Sequence, residues 1–201
     1  RLFIVSGVNL EQYRQLIEHK KGQGEAKAES CPFFAYQIDG NNGLSVGLEF
    51  KEGQISQADY VLIDKQSNEA QILEITDLSN AIRECLIAES IAQEEIKNFA
   101  REIGKSDKKA TKLVILKIWY EVIGEIKNKW YGSIAILERY CRIDNYPNNL
   151  NYSLVIVVKN SQDSRNIDSL KLKLKNLQPI MGNVEVIKTQ NLENLLILKM
   201  V

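Results

Sequence analysis

Between residues 33 and 76 the chain alternates short apolar segments with clusters of turn-forming residues. This alternation predicts several short strands in succession, because Gly, Asn and Asp favour the turns that connect strands. The pair Asn42-Gly43 is typical of a tight hairpin. The predicted strands cover residues 33–39, 44–51, 58–64 and 70–76. The fold is therefore expected to begin with antiparallel hairpins.

The second half of the chain has a different pattern. Apolar residues recur at helical spacing over 79–103, and residues 153–159 form an apolar run typical of a buried strand. A helix over 163–177 and a strand over 183–188 follow, then a short terminal element over 192–200. Strand, helix and strand in this order predict a parallel β-α-β crossover. The expected fold class is α/β, with a mixed sheet flanked by helices.

Three segments define the expected organisation of the rest. Asn9 is expected to cap a first helix over 10–20. Residues 111–143 fit either a helical stripe or buried strands, and we expect a helix to about residue 127 and a strand over 133–137. The whole chain, 1–201, is expected to be one α/β domain with a helical or extended insertion at about 107–150. Because residue 1 is Arg and not Met, we also expect a trimmed N-terminus, or a fragment of a longer chain.

The composition excludes several classes of site. His19 is the single histidine, so zinc sites built from two or three histidines and HExxH metalloproteases are excluded. We expect His19 to be solvated at the end of the first helix. Cys31, Cys85 and Cys141 are widely spaced without a CxxC pair, which favours reduced thiols in a cytoplasmic protein. Cys85 is expected in the core, and no apolar run is long enough to cross a membrane.

Charge is unevenly distributed although Lys+Arg and Asp+Glu both number 26. The net charge is −1 over residues 1–50, −5 over 51–106 and +6 over 107–201. A basic C-terminal half could receive a phosphate backbone. The basic clusters are Lys108, Lys109 and Lys112, then Lys171, Lys173 and Lys175; phosphate contacts and solvated helix charge are both open interpretations. The pairs Trp119-Tyr120 and Trp130-Tyr131 fit base stacking or, more simply, the core.

The hairpin of strands 58–64 and 70–76 carries the candidate chemistry. If Gln66-Ser67 is a two-residue turn, Asp59 lies opposite Glu74 on one sheet face. Facing carboxylates repel, and a divalent cation would relieve the repulsion. A three-residue loop would instead pair Tyr60 with Glu74, and both carboxylates could simply flank exposed strand ends. The cross-strand pairs expected with the two-residue turn are Ile63–Ala70, Val61–Ile72 and Asp59–Glu74.

This hairpin resembles the core of the PD-(D/E)XK nuclease superfamily, which places an aspartate on one strand and Glu-x-Lys on the next. The likeness in element order covers most of residues 9–188, and Asp59 and Glu74 carry it at motif level. It implies a restriction-endonuclease-like fold in which Asp59 and Glu74 bind Mg²⁺ or Mn²⁺ and a nucleic-acid phosphodiester is hydrolysed. The family often adds a glutamate from the first helix, a place that Glu18 or Glu11 could fill.

Thr76 departs from the family pattern, because it stands where the lysine is usual. Threonine cannot supply positive charge, and Lys97 on the following helix is a candidate substitute. We expect a metal-dependent nuclease-like domain acting on DNA or RNA, with Asp59, Glu74, Thr76 and Glu18 as its candidate catalytic residues. The alternative is a catalytically inactive module of the same fold that serves nucleic-acid binding, protein binding or homo-oligomer assembly. A third interpretation is an unrelated α/β interaction protein in which the two carboxylates are incidental.

Overall fold

A computed structural model of the chain describes residues 8–20, 28–51, 53–64, 66–103, 108–144, 150–178 and 182–197. It contains a six-stranded mixed sheet in which the strands lie side by side in chain order. The strands are β1 Arg14–Glu18, β2 Ser30–Gln37, β3 Tyr60–Asp64, β4 Glu69–Thr76, β5 Asn151–Val158 and β6 Val184–Lys188. Neighbours from β1 to β4 are antiparallel, and β4, β5 and β6 are parallel. The predicted fold class, with an antiparallel beginning and a parallel end, is confirmed.

Helices flank the sheet, and α2 has the bounds that the apolar spacing predicts. The helices are α1 Leu44–Gly47, α2 Ser79–Ile103, α3 Lys108–Ile118, α4 Tyr120–Ile143, α5 Ser164–Leu174 and α6 Leu192–Ile197. Short 3-10 turns cover Leu10–Tyr13, Lys175–Leu177 and Thr189–Asn191. Among the described residues, no helix has both the length and the apolar character needed to cross a membrane.

The larger core lies between one sheet face and helices α2, α4 and α5. Trp119 and Trp130 are each only 2% exposed, which confirms the core interpretation for both tryptophans. Their neighbours Tyr120 and Tyr131 point outward and are exposed. Burying each large apolar side chain stabilises the fold by roughly 1.5–3 kcal/mol. All three cysteines are buried free thiols, and Cys85 belongs to this core as expected.

The hairpin of β1 and β2 covers the other sheet face. Only Tyr36 and Gln37 of β2 pair with β3, so the rest of the hairpin leaves the sheet and folds back over it. Ile17 and Cys31 pack there in a second core that also contains Leu73. The far end of the hairpin therefore reaches the carboxyl ends of β5 and β6, where Asn160 N–H donates a 3.0 Å hydrogen bond to Glu29.

The predicted first helix over 10–20 is wrong. Asn9 does cap a helical segment, but the segment is a single 3-10 turn, Leu10–Tyr13, and the chain then extends as β1. Tyr13 and Ile17 have helical spacing, yet they are buried in different cores on opposite sheet faces. Pairing with β2 decides the conformation here, because it satisfies the backbone and buries Ile17 at once.

The predicted strand over 44–51 and its hairpin turn at Asn42-Gly43 are also wrong. Residues Leu44–Gly47 form the one-turn helix α1, with Gly43 at its N-cap. Leu44 and Leu48 are both buried, as helical spacing allows. A Cβ added at Gly47 would lie 1.8 Å from the Tyr13 hydroxyl, so this turn packs too tightly for any side chain there.

The strand expected over 133–137 is a helix instead. It belongs to α4, whose buried residues recur at helical spacing through Ile126, Trp130 and Leu137. Of the two interpretations of residues 111–143, the continuous helical stripe holds, broken only at Trp119 between α3 and α4. Residues 145–149, at the end of the expected insertion, and Lys65, which precedes the expected Gln66-Ser67 turn, lie outside the described residues.

Candidate active site

The β3–β4 hairpin has the predicted register. Val61 pairs with Ile72 and Ile63 pairs with Ala70. The last pair at the other end of the ladder is Tyr60 with Leu73, so Asp59 and Glu74 follow as the next facing positions. Side chains alternate along a strand, which places both carboxylates on the face that carries the larger core.

Asp59 is held rigidly at the start of β3. Its backbone carbonyl accepts a 2.8 Å hydrogen bond from Ile38 N–H, and its Oδ2 accepts one of 2.8 Å from Ile75 N–H. Burial raises the pKa of the Asp59 carboxyl, and the bond from Ile75 opposes that rise. One carboxylate oxygen is thus fixed by the neighbouring strand.

Glu74 is the most deeply buried carboxylate of the pair, with 4% of its surface exposed. Its Oε1 lies 2.5 Å from Lys129 Nζ, whereas its Oε2 is buried without a hydrogen-bond partner among the described residues. Burial and the adjacent Asp59 raise the pKa of Glu74 to about 8, against the opposing charge of Lys129. A buried oxygen with no partner is costly, and a cation would satisfy it.

Lys129 reaches Glu74 because α4 docks directly beside the start of β3. Ser133 Oγ accepts a 2.9 Å hydrogen bond from Ala58 N–H and donates one of 2.8 Å to Lys129 O. A Cβ added at Gly132 would lie 1.9 Å from Ser56 O. The small pair Gly132-Ser133 therefore permits the close approach that sets Lys129 over the two carboxylates.

These groups open into a cleft of about 250 Å³ at the carboxyl end of β4. Asp77 lies on its rim, where Lys159 Nζ is 3.4 Å from Asp77 Oδ2. A hydrogen bond from the Ser79 hydroxyl is the main cause that lowers the pKa of Asp77. Acidic and basic side chains therefore line the cleft together. The lining residues are His19, Lys20, Asp59, Glu74, Ile75, Thr76, Asp77, Lys129 and Lys159.

His19 is buried, which corrects the expectation of a solvated histidine at a helix end. It is 3% exposed, and its Nε2 lies 2.9 Å from Thr189 Oγ1 and 3.9 Å from Glu29 Oε1. The β1–β2 hairpin carries it there, because that hairpin crosses the second sheet face and ends beside the last residues of β5 and β6. His19 and Lys20 consequently form the wall of the cleft opposite α4.

The structure brings together three of the four predicted catalytic residues: Asp59, Glu74 and Thr76. Glu18 lies exposed on β1 outside the cleft lining, and Glu11 accepts a 2.8 Å hydrogen bond from the Tyr36 hydroxyl. Lys97 lines a different cavity, so it is not the substitute for the missing lysine.

Sequence reasoning missed Lys129, although a signal was present. Lys129 is three residues after buried Ile126 and four before buried Ser133, so it falls on the inward face of α4. A lysine on a buried helical stripe requires a partner, because an unpaired buried charge is expensive. That rule points to a carboxylate beneath it, and the carboxylate is Glu74.

The residues present fit a hard divalent cation. No described residue gives Glu74 Oε2 a hydrogen bond, and carboxylate oxygen is a ligand that Mg²⁺ prefers. Within the described ranges, no group of three or more His, Cys, Asp or Glu is arranged to hold a metal ion. Asp59 and Glu74 could supply two ligands, with water or substrate oxygen as the others, as is common for Mg²⁺.

No family model matches this chain, and neither a curated protein nor a solved structure matches it significantly.

Proposed function

We propose that this protein is a metal-dependent phosphodiester hydrolase of the nuclease type, with its active site in the cleft at the end of β4. The observation that carries the proposal is the pair Asp59 and Glu74 beside Lys129, with one Glu74 oxygen buried and unpartnered. Two carboxylates and an ammonium are the groups that phosphoryl hydrolysis requires, since charge stabilisation and a metal-activated nucleophile carry most of the rate. The PD-(D/E)XK resemblance of the same hairpin supports this proposal.

Asp59 and Glu74 would hold Mg²⁺ or Mn²⁺. The bound cation would supply an activated water at neutral pH and neutralise charge on the phosphoryl group. Glu74 would be ionised beside such a cation, because positive charge favours the carboxylate form. Asp59 stays in place through its hydrogen bond from Ile75, so its second oxygen is oriented before any ligand arrives.

Lys129 takes the role left vacant by Thr76. The Lys129 side chain is 25% exposed and lines the cleft, so its ammonium can donate hydrogen bonds to a phosphoryl oxygen while it contacts Glu74. A preformed cation beside the reacting group stabilises the negative charge that develops in the transition state. Lys159 and Lys20 line the same cleft and would bind the flanking phosphates.

A catalytically inactive binding module is the second candidate. It is favoured by the contact between Lys129 and Glu74 at 2.5 Å, which already gives the Lys129 ammonium a partner within the fold. In that case the cleft carboxylates would be structural, and the protein would bind nucleic acid or protein without cleaving it. The two candidates differ in one observable, which is metal-dependent strand cleavage.

The decisive experiment is a cleavage panel with single- and double-stranded DNA and RNA, in Mg²⁺, in Mn²⁺ and in EDTA. We expect cleavage in the metals and none in EDTA. Glu74→Gln should reduce the rate by more than about 100-fold, since even loss of an outer partner of a metal ligand costs roughly 10–100-fold. The substitution keeps the shape of the side chain, so it tests charge and not packing.

Asp64→Asn is the matched control, because Asp64 lies on the same hairpin but at the turn, where Ser67 and Gln66 hydrogen-bond to it. We expect its cleavage rate to equal that of the wild type. Activity that survives in Glu74→Gln or in EDTA would contradict the assigned roles. Folded protein that cleaves no substrate in the panel would favour the inactive module.

A further inference from the structure

A groove of about 600 Å³ lies between α2, α3 and α5, away from the cleft lining. Lysines from two clusters that are far apart in the sequence line this groove, Lys108 and Lys112 from one and Lys173 and Lys175 from the other. Its floor is apolar and open to solvent: Leu116 is 52% and Leu172 is 66% exposed. None of the described residues that line it carries a carboxylate; they are Gln93, Lys97, Lys108, Thr111, Lys112, Ile115, Leu116, Leu172, Lys173 and Lys175.

Four of the five lysines in the groove carry uncompensated charge. Lys97, Lys108, Lys112 and Lys175 are exposed, and none is in an ion pair with a carboxylate in the described part of the chain. Lys173 differs, since its Nζ lies 2.9 Å from Glu89 Oε2 and 5.3 Å from the centre of the Trp119 ring. Lys173 therefore holds α5 against α2, while the other four lysines present a positive field.

We infer that this groove is a docking surface for the phosphate backbone of a nucleic acid, separate from the site of cleavage. Clustered like charges in a concave surface repel one another, so an anionic partner stabilises them. A polynucleotide offers regularly spaced phosphates for the four lysines and apolar base faces for Leu116 and Leu172. The choice of nucleic acid over other polyanions rests on the proposed function.

A second open cavity of about 650 Å³ adjoins the groove. That cavity shares Ile115, Leu116 and Lys173 with the groove and extends along α4 to Glu125. Glu125 in turn lies 3.4 Å from Lys129 in the cleft. The described linings of this cavity and of the cleft share no residue, so the contact between Glu125 and Lys129 is the link between them.

The test measures binding of the full chain to fluorescent DNA and RNA oligonucleotides, single- and double-stranded, in EDTA so that no cleavage occurs. The groove variant replaces Lys97, Lys108, Lys112 and Lys175 with Gln. We expect at least about 100-fold weaker binding and a salt dependence flatter by about 3 in log–log slope, because each lost lysine–phosphate contact removes roughly 0.7–0.9. The control removes the same charge from four exposed residues outside the groove: Lys51, Arg83, Lys117 and Arg142.

The control variant should bind within a few-fold of the wild type. Equal losses in both variants would overturn the inference, because they would show that net charge and not the groove governs binding. Unchanged affinity in the groove variant, or tighter binding of wild type to polyglutamate than to an oligonucleotide of equal charge, would also overturn it. Failure of the cleavage proposal is separable, since the groove would then still bind nucleic acid in EDTA while no metal yields products.

Discussion

The cleft and the groove use lysine in opposite ways. In the cleft, Lys129 contacts Glu74 and Lys159 contacts Asp77, so both of these ammonium groups lie against a carboxyl group. In the groove, no lining residue is acidic, and Lys108 and Lys112 face solvent. The cleft balances charge inside a small buried volume, and the groove leaves it unbalanced on a large open surface.

This difference separates two functions that electrostatics can serve. A buried, balanced set of charges is held in fixed positions, which is what a reacting centre requires. An exposed, unbalanced set adds attraction that salt screens, which is what a docking surface requires. Substitutions in the cleft should therefore change rate and stability, and substitutions in the groove should change affinity and its salt dependence.

Removal of the Lys129 ammonium from the cleft should have the largest effect on the cleavage rate. We expect Lys129→Met to lower the cleavage rate by about 10²–10³-fold, the usual loss when one preorganised group that stabilises transition-state charge is removed. The measurement is single-turnover cleavage in Mn²⁺. Arg142→Met is the control from the same helix, since Arg142 is exposed and lines neither the cleft nor the cavity that adjoins the groove. Wild-type rates in Lys129→Met would show that the contact with Glu74 serves packing alone.

The buried carboxyl should make stability depend on pH in an unusual direction. The pKa of Glu74 rises from 4.5 to about 8 on folding, mainly through burial and secondly through Asp59. Between these values the folded protein keeps a proton that the unfolded chain has released, so stability falls as pH rises. Gln has no such proton to release. The unfolding free energy of Glu74→Gln, compared with that of the wild type at the same pH, should therefore rise by on the order of 3 kcal/mol from pH 5 to pH 8.

Urea denaturation in EDTA at both pH values measures this gain. Asp64→Asn is the contrasting variant, because hydrogen bonds from Ser67 and Gln66 lower the pKa of the Asp64 carboxyl. Its ionised form stabilises the fold above the ordinary pKa, so the substitution should bring no gain at pH 8. A Glu74→Gln gain that does not vary with pH would mean that this carboxyl is ionised throughout.

The fit of α4 against the cleft gives the next prediction. Gly132→Ala should destabilise the protein by roughly 1–3 kcal/mol, because its Cβ would collide with Ser56 O and force the helix away. Gly124→Ala is the matched control on the same helix, since nothing lies within 4 Å of its added Cβ. That control should stabilise by about 0.4–1 kcal/mol. Thermal unfolding of the two variants checks both signs.

A shift of α4 should also reach the cleft, since Gly132 lies three residues from Lys129. We expect Gly132→Ala to lower the cleavage rate at a temperature where the variant is fully folded. An unchanged rate in a destabilised Gly132→Ala protein would show that Lys129 keeps its place without the close approach at Ser56.

The parts of the fold that could be predicted are those in which local pattern and tertiary packing agree. The β3–β4 register was predicted from a two-residue turn, and the α2 bounds were predicted from apolar spacing. In each case the signal comes from residues that are close in sequence. Around β1 and α1 the local pattern was misleading. Tyr13 and Ile17 have helical spacing but pack on opposite sheet faces, and only the whole sheet determines that.

The residues of the candidate site differ in the same way: those close in sequence were predictable, and those far apart were not. Asp59 and Glu74 were predictable because one hairpin carries both. Lys129 and His19 could not be assigned to this site from the sequence, because each lies 55 residues from Glu74, one on either side. Helix α4 and the β1–β2 hairpin bring them to the cleft. A site assembled across such separations depends on how helices dock, and the docking rests on small contacts such as Gly132 with Ser56.

Single substitutions in the groove should have the smallest effect on nucleic-acid affinity. They also show which lysines contact phosphate. Lys112→Gln is expected to weaken binding by roughly 5-fold at 0.1 M salt and to flatten the log–log salt slope by about 0.7–0.9, one phosphate contact's worth. Lys173→Gln should behave differently, because its partners are Glu89 and Trp119. It should change thermal stability more than the salt slope. Titrations at several salt concentrations, alongside thermal unfolding, distinguish the two lysines. If Lys112→Gln lowers affinity without changing the slope, its ammonium does not contact phosphate, and the contrast between cleft and groove fails at that residue.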